Sequence, residues 1–399
     1  MRGHTKKSIF KFSILALPLF SSFNAFDVFP GGMKIIDIIF FWSLIVFFIS
    51  ALSSIRLEVA YRVFAILIGF SYSSIVFILG GGEEFTDVIR IWVGLFWSVI
   101  AYNFMSDNED FRDILKFLFC SAVLISLYQI YIYLTVSGVH RIGGYYGYAD
   151  GQGLDRQPSY NEVGAFLSFG VMASWICFAR MDKRIFYIFC VALCFLGLLL
   201  TGSRSSILAV LISFLVFNFT FFKYGDNSYR FVFLLSIILV FGSSLHLLSN
   251  NSSLHVFSRL ASTFDPTTNA GNSMQTRLDL WRSAFDVASD EFHRFLIGFG
   301  RNSGFGDVGT RTLENFWLDT FFSYGLLGFS IVLFFLIYPF LSLSKINVKD
   351  MLEWDIIKSF TIIILVVSMT GNVLADPMVL STYLIFSYSL LAKYKRGSN

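Results

Sequence analysis

The sequence predicts an all-α, polytopic integral membrane protein with about twelve transmembrane helices, and three observations carry that prediction. First, 55% of the 399 residues are hydrophobic and only 14% are charged, with a mean hydropathy of +0.68. A soluble domain carries about 25% charged residues. A chain this poor in charge cannot clothe a water-facing surface of its size. That excludes a soluble globular protein, a disordered chain and a nucleic-acid binder with a basic domain. Second, apolar runs of the length a bilayer requires recur along the chain. Third, the basic residues between the runs fall into two unlike sets. The four cysteines, Cys120, Cys177, Cys190 and Cys194, all sit inside apolar runs. They form no CxxC and no disulfide framework, and read as small core residues.

Taken in order, the runs lie near 9–26, 35–55, 63–80, 88–105, 115–136, 164–179, 185–202, 206–222, 231–249, 316–341, 357–374 and 378–392. The first follows Arg2, Lys6 and Lys7 as a signal peptide would. It lacks an A-x-A site and a second run follows at once, so it reads as a retained anchor. The chain divides into residues 1–249 with nine helices and an outer loop at about 138–163, a large outer loop at 250–313, and three helices over 314–399.

Basic residues in short loops mark the cytoplasmic side. Placing the N-terminus inside puts 19 of the 30 Lys and Arg on inner segments and 11 on outer ones. Both termini are then cytoplasmic, as an even number of helices requires. Inside, 11 of the 19 are Lys; outside, 10 of the 11 are Arg. Sidedness needs only positive charge. Arg adds a planar fork that binds phosphate or carboxylate bidentately and stays charged when partly desolvated. The outer face is therefore suited to hold an anion, although ordinary Arg–carboxylate pairing on outer loops would leave the same imprint.

The first outer loop runs from about His140 to Glu162 and is rich in Gly and Tyr. Arg141 opens it, and Arg156 precedes Pro158, Ser159, Tyr160 and Asn161. The X-Pro step favours an extended turn before the next helix. Tyr160 and Asn161 then stand at a helix start, where free N–H donors gather; Asn161 could equally be a simple cap. Tyr145, Tyr146 and Tyr148 could stack on sugar faces or lie in the interfacial belt. The second loop, 250–313, begins polar and continues as an amphipathic helix. There Leu278, Trp281, Phe285 and Ala288 recur at helical spacing. Loops this long are usually functional or disordered, and a helix argues against disorder.

TGSRSS at 201–206 joins two runs with almost no loop. That sets Arg204 at the outer membrane boundary, where a charge marks a functional site unless it merely snorkels. Small neighbours would let a ligand approach closely. Arg277 lies one helical turn from Trp281 and has no acid at i+4, unlike Arg282 with Asp286. Glu314 and Asn315 precede the tenth run. A carboxylate there could accept a proton from a hydroxyl or simply complement the helix dipole. Asp319 is a second, weaker candidate. The five His show no metal-ligand spacing, and no P-loop, GxSxG or dinucleotide fingerprint occurs. No metal or cofactor is expected.

Together these pieces resemble the O-antigen polymerase (Wzy-type) and O-antigen ligase family of bacterial membrane glycosyltransferases. The resemblance rests on Arg141 with Gly143 and Gly144, then Pro158-x-x-Asn161; LTGSRSS with Arg204; Arg277-x-x-x-Trp281 followed by Gly298-x-Gly300; and Glu314-Asn315 ahead of YGLLGF. It covers about residues 138–330 in motif. Ligases of the family typically carry His-Asn where this chain has Glu314-Asn315, so the likeness leans to the polymerase branch. It implies a metal-independent, inverting transfer at the periplasmic face of the inner membrane. The donor would be an undecaprenyl-diphosphate-linked oligosaccharide and the acceptor another lipid-linked repeat unit. A flippase and a chain-length regulator would be partners, and nucleic acid would not. In this scheme Arg204 and Arg277 stabilise the diphosphate leaving group and Glu314 deprotonates or orients the acceptor. Arg141, Arg156, Tyr160, Asn161, Trp281 and Asn315 bind substrate. The alternatives are ligation of glycan to a lipid A core and, in a different class, a twelve-helix secondary transporter or a silent scaffold. A transporter would call for midplane charges and broken helices.

Overall fold

A computed structural model describes residues 27–29, 33–34, 57–79, 85–105, 108–135, 160–181, 184–224, 269–290, 292–300, 313–345, 352–375 and 377–397. These residues are helical apart from a short antiparallel ladder of β1 (Asp27–Phe29) and β2 (Met33–Lys34). In chain order the helices are α1 (Leu57–Leu79), α2 (Phe85–Phe104), α3 (Asn108–Thr135), α4 (Tyr160–Arg180), α5 (Arg184–Thr201) and α6 (Arg204–Tyr224). They continue with α7 (Asn269–Asp290), α8 (Phe292–Ile297), α9 (Phe316–Ser344), α10 (Leu352–Ser368) and α11 (Pro377–Gly397), with a 3-10 turn at Val373–Ala375.

The protein is a multi-pass helical membrane protein, but the expected twelve spans are not found. Among the described residues five helices are long and apolar enough to cross a bilayer: α1, α3, α4, α5 and α9. An apolar run in the sequence records neither where a helix begins and ends nor which charges it takes in. The run at 357–374 becomes a helix of 17 residues that starts at Leu352, includes Glu353, Asp355 and Lys358, and stops at Ser368. The run at 378–392 extends into Lys393, Lys395 and Arg396. The run at 206–222 falls within the 21-residue helix α6, Arg204–Tyr224. The run at 88–105 falls on α2, which starts three residues earlier and so also takes in Asp87. The runs at 9–26, 35–55 and 231–249 lie outside the described residues. The even count that placed both termini on one side lapses with the number twelve.

The chain divides into two compact units: residues 1–121, 280–357 and 368–399 form the first, and 122–279 with 358–367 the second. In the second unit α4 is the central helix; 83% of its apolar window is buried, against 28% for α1 in the first unit. Glycines let its neighbours come close. A Cβ at Gly170 would stand 2.7 Å from the Ala122 Cβ, and one at Gly197 would stand 2.5 Å from the Ser126 Oγ. Phe169 stacks on Phe360 at 4.3 Å. Cys177, Cys190 and Cys194 are buried, while Cys120 is exposed.

In the first unit α2 packs on α11, with Gly94 giving room to Leu380 and Phe111 edge-on to Phe386. Helix α9 is interrupted twice. Pro339 has no N–H, so the carbonyl four residues earlier, on Phe335, loses its helical donor. The Tyr388 hydroxyl donates to that carbonyl at 3.2 Å, and Tyr383 donates to the Leu336 carbonyl at 2.7 Å. Lipid offers no such donors, so side chains of α11 supply them. The second break is at Gly325, whose φ of 62° and ψ of −172° are accessible in practice to glycine alone. This break releases the carbonyls of Phe322 and Ser323. The backbone N–H of Phe299 donates to the first at 2.8 Å and that of Gly300 to the second at 3.1 Å. Gly298, with φ of 100°, lies so close to Gly325 that neither tolerates a Cβ. The Tyr72 hydroxyl of α1 donates to the Ile297 carbonyl at 2.7 Å and pins the same segment.

Candidate functional site

Each unit carries a polar cluster built around sequence candidates. In the second unit α5 ends at Thr201 and α6 begins at Arg204, so the chain reverses within Gly202 and Ser203. Gly202 makes this possible with φ of 64°. Thr201 Oγ1 accepts from the Ser203 N–H at 3.2 Å, and the Ile207 N–H donates to the Ser203 carbonyl at 3.2 Å. Ser203 Oγ donates to Asn161 Oδ1 at 3.0 Å and shares a 2.8 Å hydrogen bond with Ser206 Oγ. A Cβ at Gly164 would meet Ser206 Oγ at 2.7 Å, so only glycine allows the head of α4 to lie on this turn. Tyr160, buried, and Asn161, half-buried, are the first two residues of α4. The structure thus brings the 160–161 pair to the turn that holds Arg204, though the two are over forty positions apart.

Arg204 is half-buried and opens α6. A cation at a helix N-terminus opposes the helix dipole and costs roughly 0.3–1 kcal/mol. An Arg fork beside a helix N-terminus is instead a double attraction for an anion.

In the first unit the cluster forms at the head of α9. Asn315 is the N-cap: its Oδ1 accepts from the N–H groups of Trp317 and Leu318 at 3.0 and 3.1 Å, and its Nδ2 donates to the Met369 carbonyl at 3.1 Å. Its side chain therefore caps α9 and ties the cap to residue 369. Asp319, one turn on and buried, accepts from Asn372 Nδ2 at 3.2 Å. Two hydrogen bonds thus tie residues 369–372 to the first turn of α9. Glu314 is exposed and has φ of 48°, the only non-glycine with positive φ among the described residues. Holding a carboxylate residue there costs about 1–3 kcal/mol, and strain of that kind gathers at functional positions.

Helix α7 positions this head. Leu280, Ala284 and Ala288 are buried along one face, and Ala284 and Ala288 pack with Phe299, Leu313 and Phe322. The expected stripe of Leu278, Trp281, Phe285 and Ala288 is thus rotated. Phe285 is 46% exposed, although its ring meets Phe322 edge-on at 5.2 Å. Small Ala residues let the helix seat closely where the bulky ones could not. Trp281 is half-buried and its Nε1 donates to the Leu313 carbonyl at 2.8 Å, so it fixes the residue before Glu314. Arg277 is half-buried one turn before it, and Arg282 is exposed. Arg141, Arg156, Tyr145, Tyr146 and Tyr148 lie outside the described residues.

Sequence reasoning took Ser203 and Ser206 only as small neighbours of Arg204, not as hydrogen-bonding parts of the cluster, and missed Asn372. For Asn372 a signal existed, since Gly371-Asn372 interrupts an apolar run. For the serines the signal was their small size beside Arg204, which does not disclose their hydrogen bonds.

Residues 189–333 match the model of the family described as O-antigen ligase. The chain carries an O-antigen ligase family domain. The resemblance drawn from the motifs is borne out over that stretch. The O-antigen ligase domain begins in α5 and ends in α9. It takes in Arg204, Arg277, Trp281, Gly298, Gly300, Glu314, Asn315 and Gly325. Tyr160, Asn161 and Asn372 lie outside the domain, and Asn161 and Asn372 hydrogen-bond to Ser203 and Asp319 within it. No curated protein matches the chain.

Proposed function

We propose that the protein transfers a glycan from a lipid diphosphate to a hydroxyl acceptor at the outer, periplasmic face of the bacterial inner membrane. The observation that carries this reading is the O-antigen ligase domain, with Arg204 set at a helix N-terminus inside it. In the transfer, an acceptor oxygen bonds to the anomeric carbon as the bond from that carbon to the diphosphate oxygen breaks. The electron pair leaves with the diphosphate, and inversion follows from attack on the opposite face. Charge builds on the departing diphosphate. Preorganised donors at a low-dielectric boundary stabilise it, and loss of one such donor costs about 10²–10³ in rate. Arg204 takes this role, with Arg277 as a second cation and no divalent metal required. Glu314 accepts or orients the proton of the acceptor hydroxyl.

The family description favours lipid A core as acceptor, which makes ligation the leading reading in place of the polymerisation put first on sequence grounds. Polymerisation onto a second lipid-linked repeat unit is favoured by one observation, Glu314-Asn315 where ligases typically carry His-Asn. Purified protein given an undecaprenyl-diphosphate-linked glycan distinguishes them. Ligation yields product only when lipid A core is added; polymerisation yields longer lipid-linked glycan without it. No product in either case defeats the transferase reading.

Glu314→Gln keeps shape and removes the base. Turnover is expected to fall about 10²-fold or more, with donor affinity changed little. Equal loss of donor binding and turnover would argue against proton transfer by Glu314. Single-turnover kinetics beside a donor-binding measurement provide the check.

A further inference from the structure

The first unit has a second charged feature, about 30 Å of helix away from Glu314 along α9, counted from Phe316 to Tyr338. It centres on Arg62, near the start of α1 and only 7% exposed. The guanidinium lies over the Tyr102 ring at 3.9 Å, with the rings of Tyr388 and Tyr338 at 5.3 and 5.6 Å. Rings engage the face of a guanidinium and leave its N–H edge without acceptors. The NH1 nitrogen is buried and has no hydrogen-bond partner. Among the described residues no carboxylate pairs with Arg62. The first turn of α10 carries two acids: Glu353, taken by Lys393 at 2.8 Å, and Asp355, which is buried and does not pair with Arg62. Lys395 brings a second positive charge to the same place, its Nζ donating to the Tyr338 hydroxyl at 3.2 Å.

A buried cation beside lipid is costly unless an anion or acceptor meets it. The surrounding surface indicates where that anion comes from. Tyr61 and Phe64, flanking Arg62 on α1, are 66% and 63% exposed, so this edge of the unit faces acyl chains or headgroups. Helix α9 is long and apolar enough to cross a hydrocarbon core, and Glu314 precedes its first residue while Tyr338 lies near its other end.

We propose that Arg62 and Lys395, with the Tyr338 hydroxyl, bind the phosphate of an anionic phospholipid headgroup in the leaflet opposite Glu314. Basic recesses between membrane helices recognise headgroups in this way. The tyrosine rings hold the guanidinium in plane so that its fork meets the phosphate, and the acyl chains lie along the exposed face of α1. This binding is independent of any glycan transfer.

The test is native mass spectrometry of the full-length protein in detergent, titrated with phosphatidylglycerol, phosphatidylcholine or sodium phosphate. Wild type is expected to retain phosphatidylglycerol in preference to phosphatidylcholine. Arg62→Gln and Lys395→Ala should each weaken that retention about fivefold, the contribution of one basic residue near a charged surface. Should Arg62→Gln fail to fold, Lys395→Ala decides alone. Unchanged retention in the folded variants, or equal retention of both lipids, overturns the proposal. Saturation by sodium phosphate that blocks phosphatidylglycerol equally well at equal concentration overturns the assignment to a lipid.

Discussion

Replacing Arg204 by Lys is expected to lower glycan transfer by about 10²-fold or more while leaving the protein folded. The two readings of Arg204 separate at this substitution. If the side chain only snorkels to the interface, an ammonium on a flexible stem does that as well. If it clamps a diphosphate, charge alone is insufficient, because the planar fork makes two parallel hydrogen bonds that a point charge cannot. The surrounding turn has supports of its own in Gly202 and in the hydrogen bonds that join Ser203 to Ser206 and to Asn161. The helix loses no support, since Arg204 stands at the end of α6 where a cation is unfavourable. The check is transfer rate against thermal unfolding for wild type, Arg204→Lys and Arg204→Ala. Near-normal transfer by the Lys variant would end the clamping role.

Much of this was legible in the sequence, and what was not has identifiable physical causes. Apolar runs marked the helices of α1, α3, α4, α5 and α9 because a span must satisfy every backbone group internally, and that requirement fixes length and composition together. It failed for the α10 and α11 runs because their helices take in Glu353, Asp355 and Lys393, which the runs excluded. The helix in the second outer loop was foreseen, with Ala288 on its buried face. The structure adds Leu280 and Ala284 to that face and leaves Phe285 exposed, and which neighbours are buried is decided by the partner surface, which a single helix does not disclose. Gly298 and Gly325 were noticed as parts of motifs. Their mutual approach was invisible, since it joins backbone segments 27 positions apart. Glu314 was singled out for its carboxylate; its positive φ follows from how Leu313 and Asn315 are both tied down, by Trp281 and by Met369.

Gly325→Ala is expected to be the most destabilising single substitution in the described part of the O-antigen ligase domain. Two costs combine. A residue with a Cβ at φ of 62° pays about 1–2 kcal/mol for the backbone alone. The new methyl would also overlap the carbonyl of Leu296 and stand 2.5 Å from the Ile297 carbonyl carbon, both backbone atoms that no rotamer change can move. Overpacking adds about 1–3 kcal/mol, so the whole is roughly 2–5 kcal/mol. Relief requires residues 298–300 to leave the carbonyls of Phe322 and Ser323, which would strand two acceptors at membrane depth. Phe299 would lift from the cluster of Ala284, Ala288, Leu313 and Phe322, and the residue before Glu314 would lose its seat. Transfer should therefore fall together with stability. Gly298→Ala faces the same obstruction from the other side, its Cβ 2.6 Å from the Ser323 carbonyl oxygen. Once one substitution has opened the clasp the other has little left to break, so the double variant should melt close to the worse single one rather than at the sum. Leu326→Ala, at a residue 48% exposed, serves as the control for a change beside the break that leaves the backbone alone. Thermal unfolding in detergent of these four variants against wild type gives the comparison. A Gly325→Ala protein that melts with wild type would mean the break in α9 is not held by this contact.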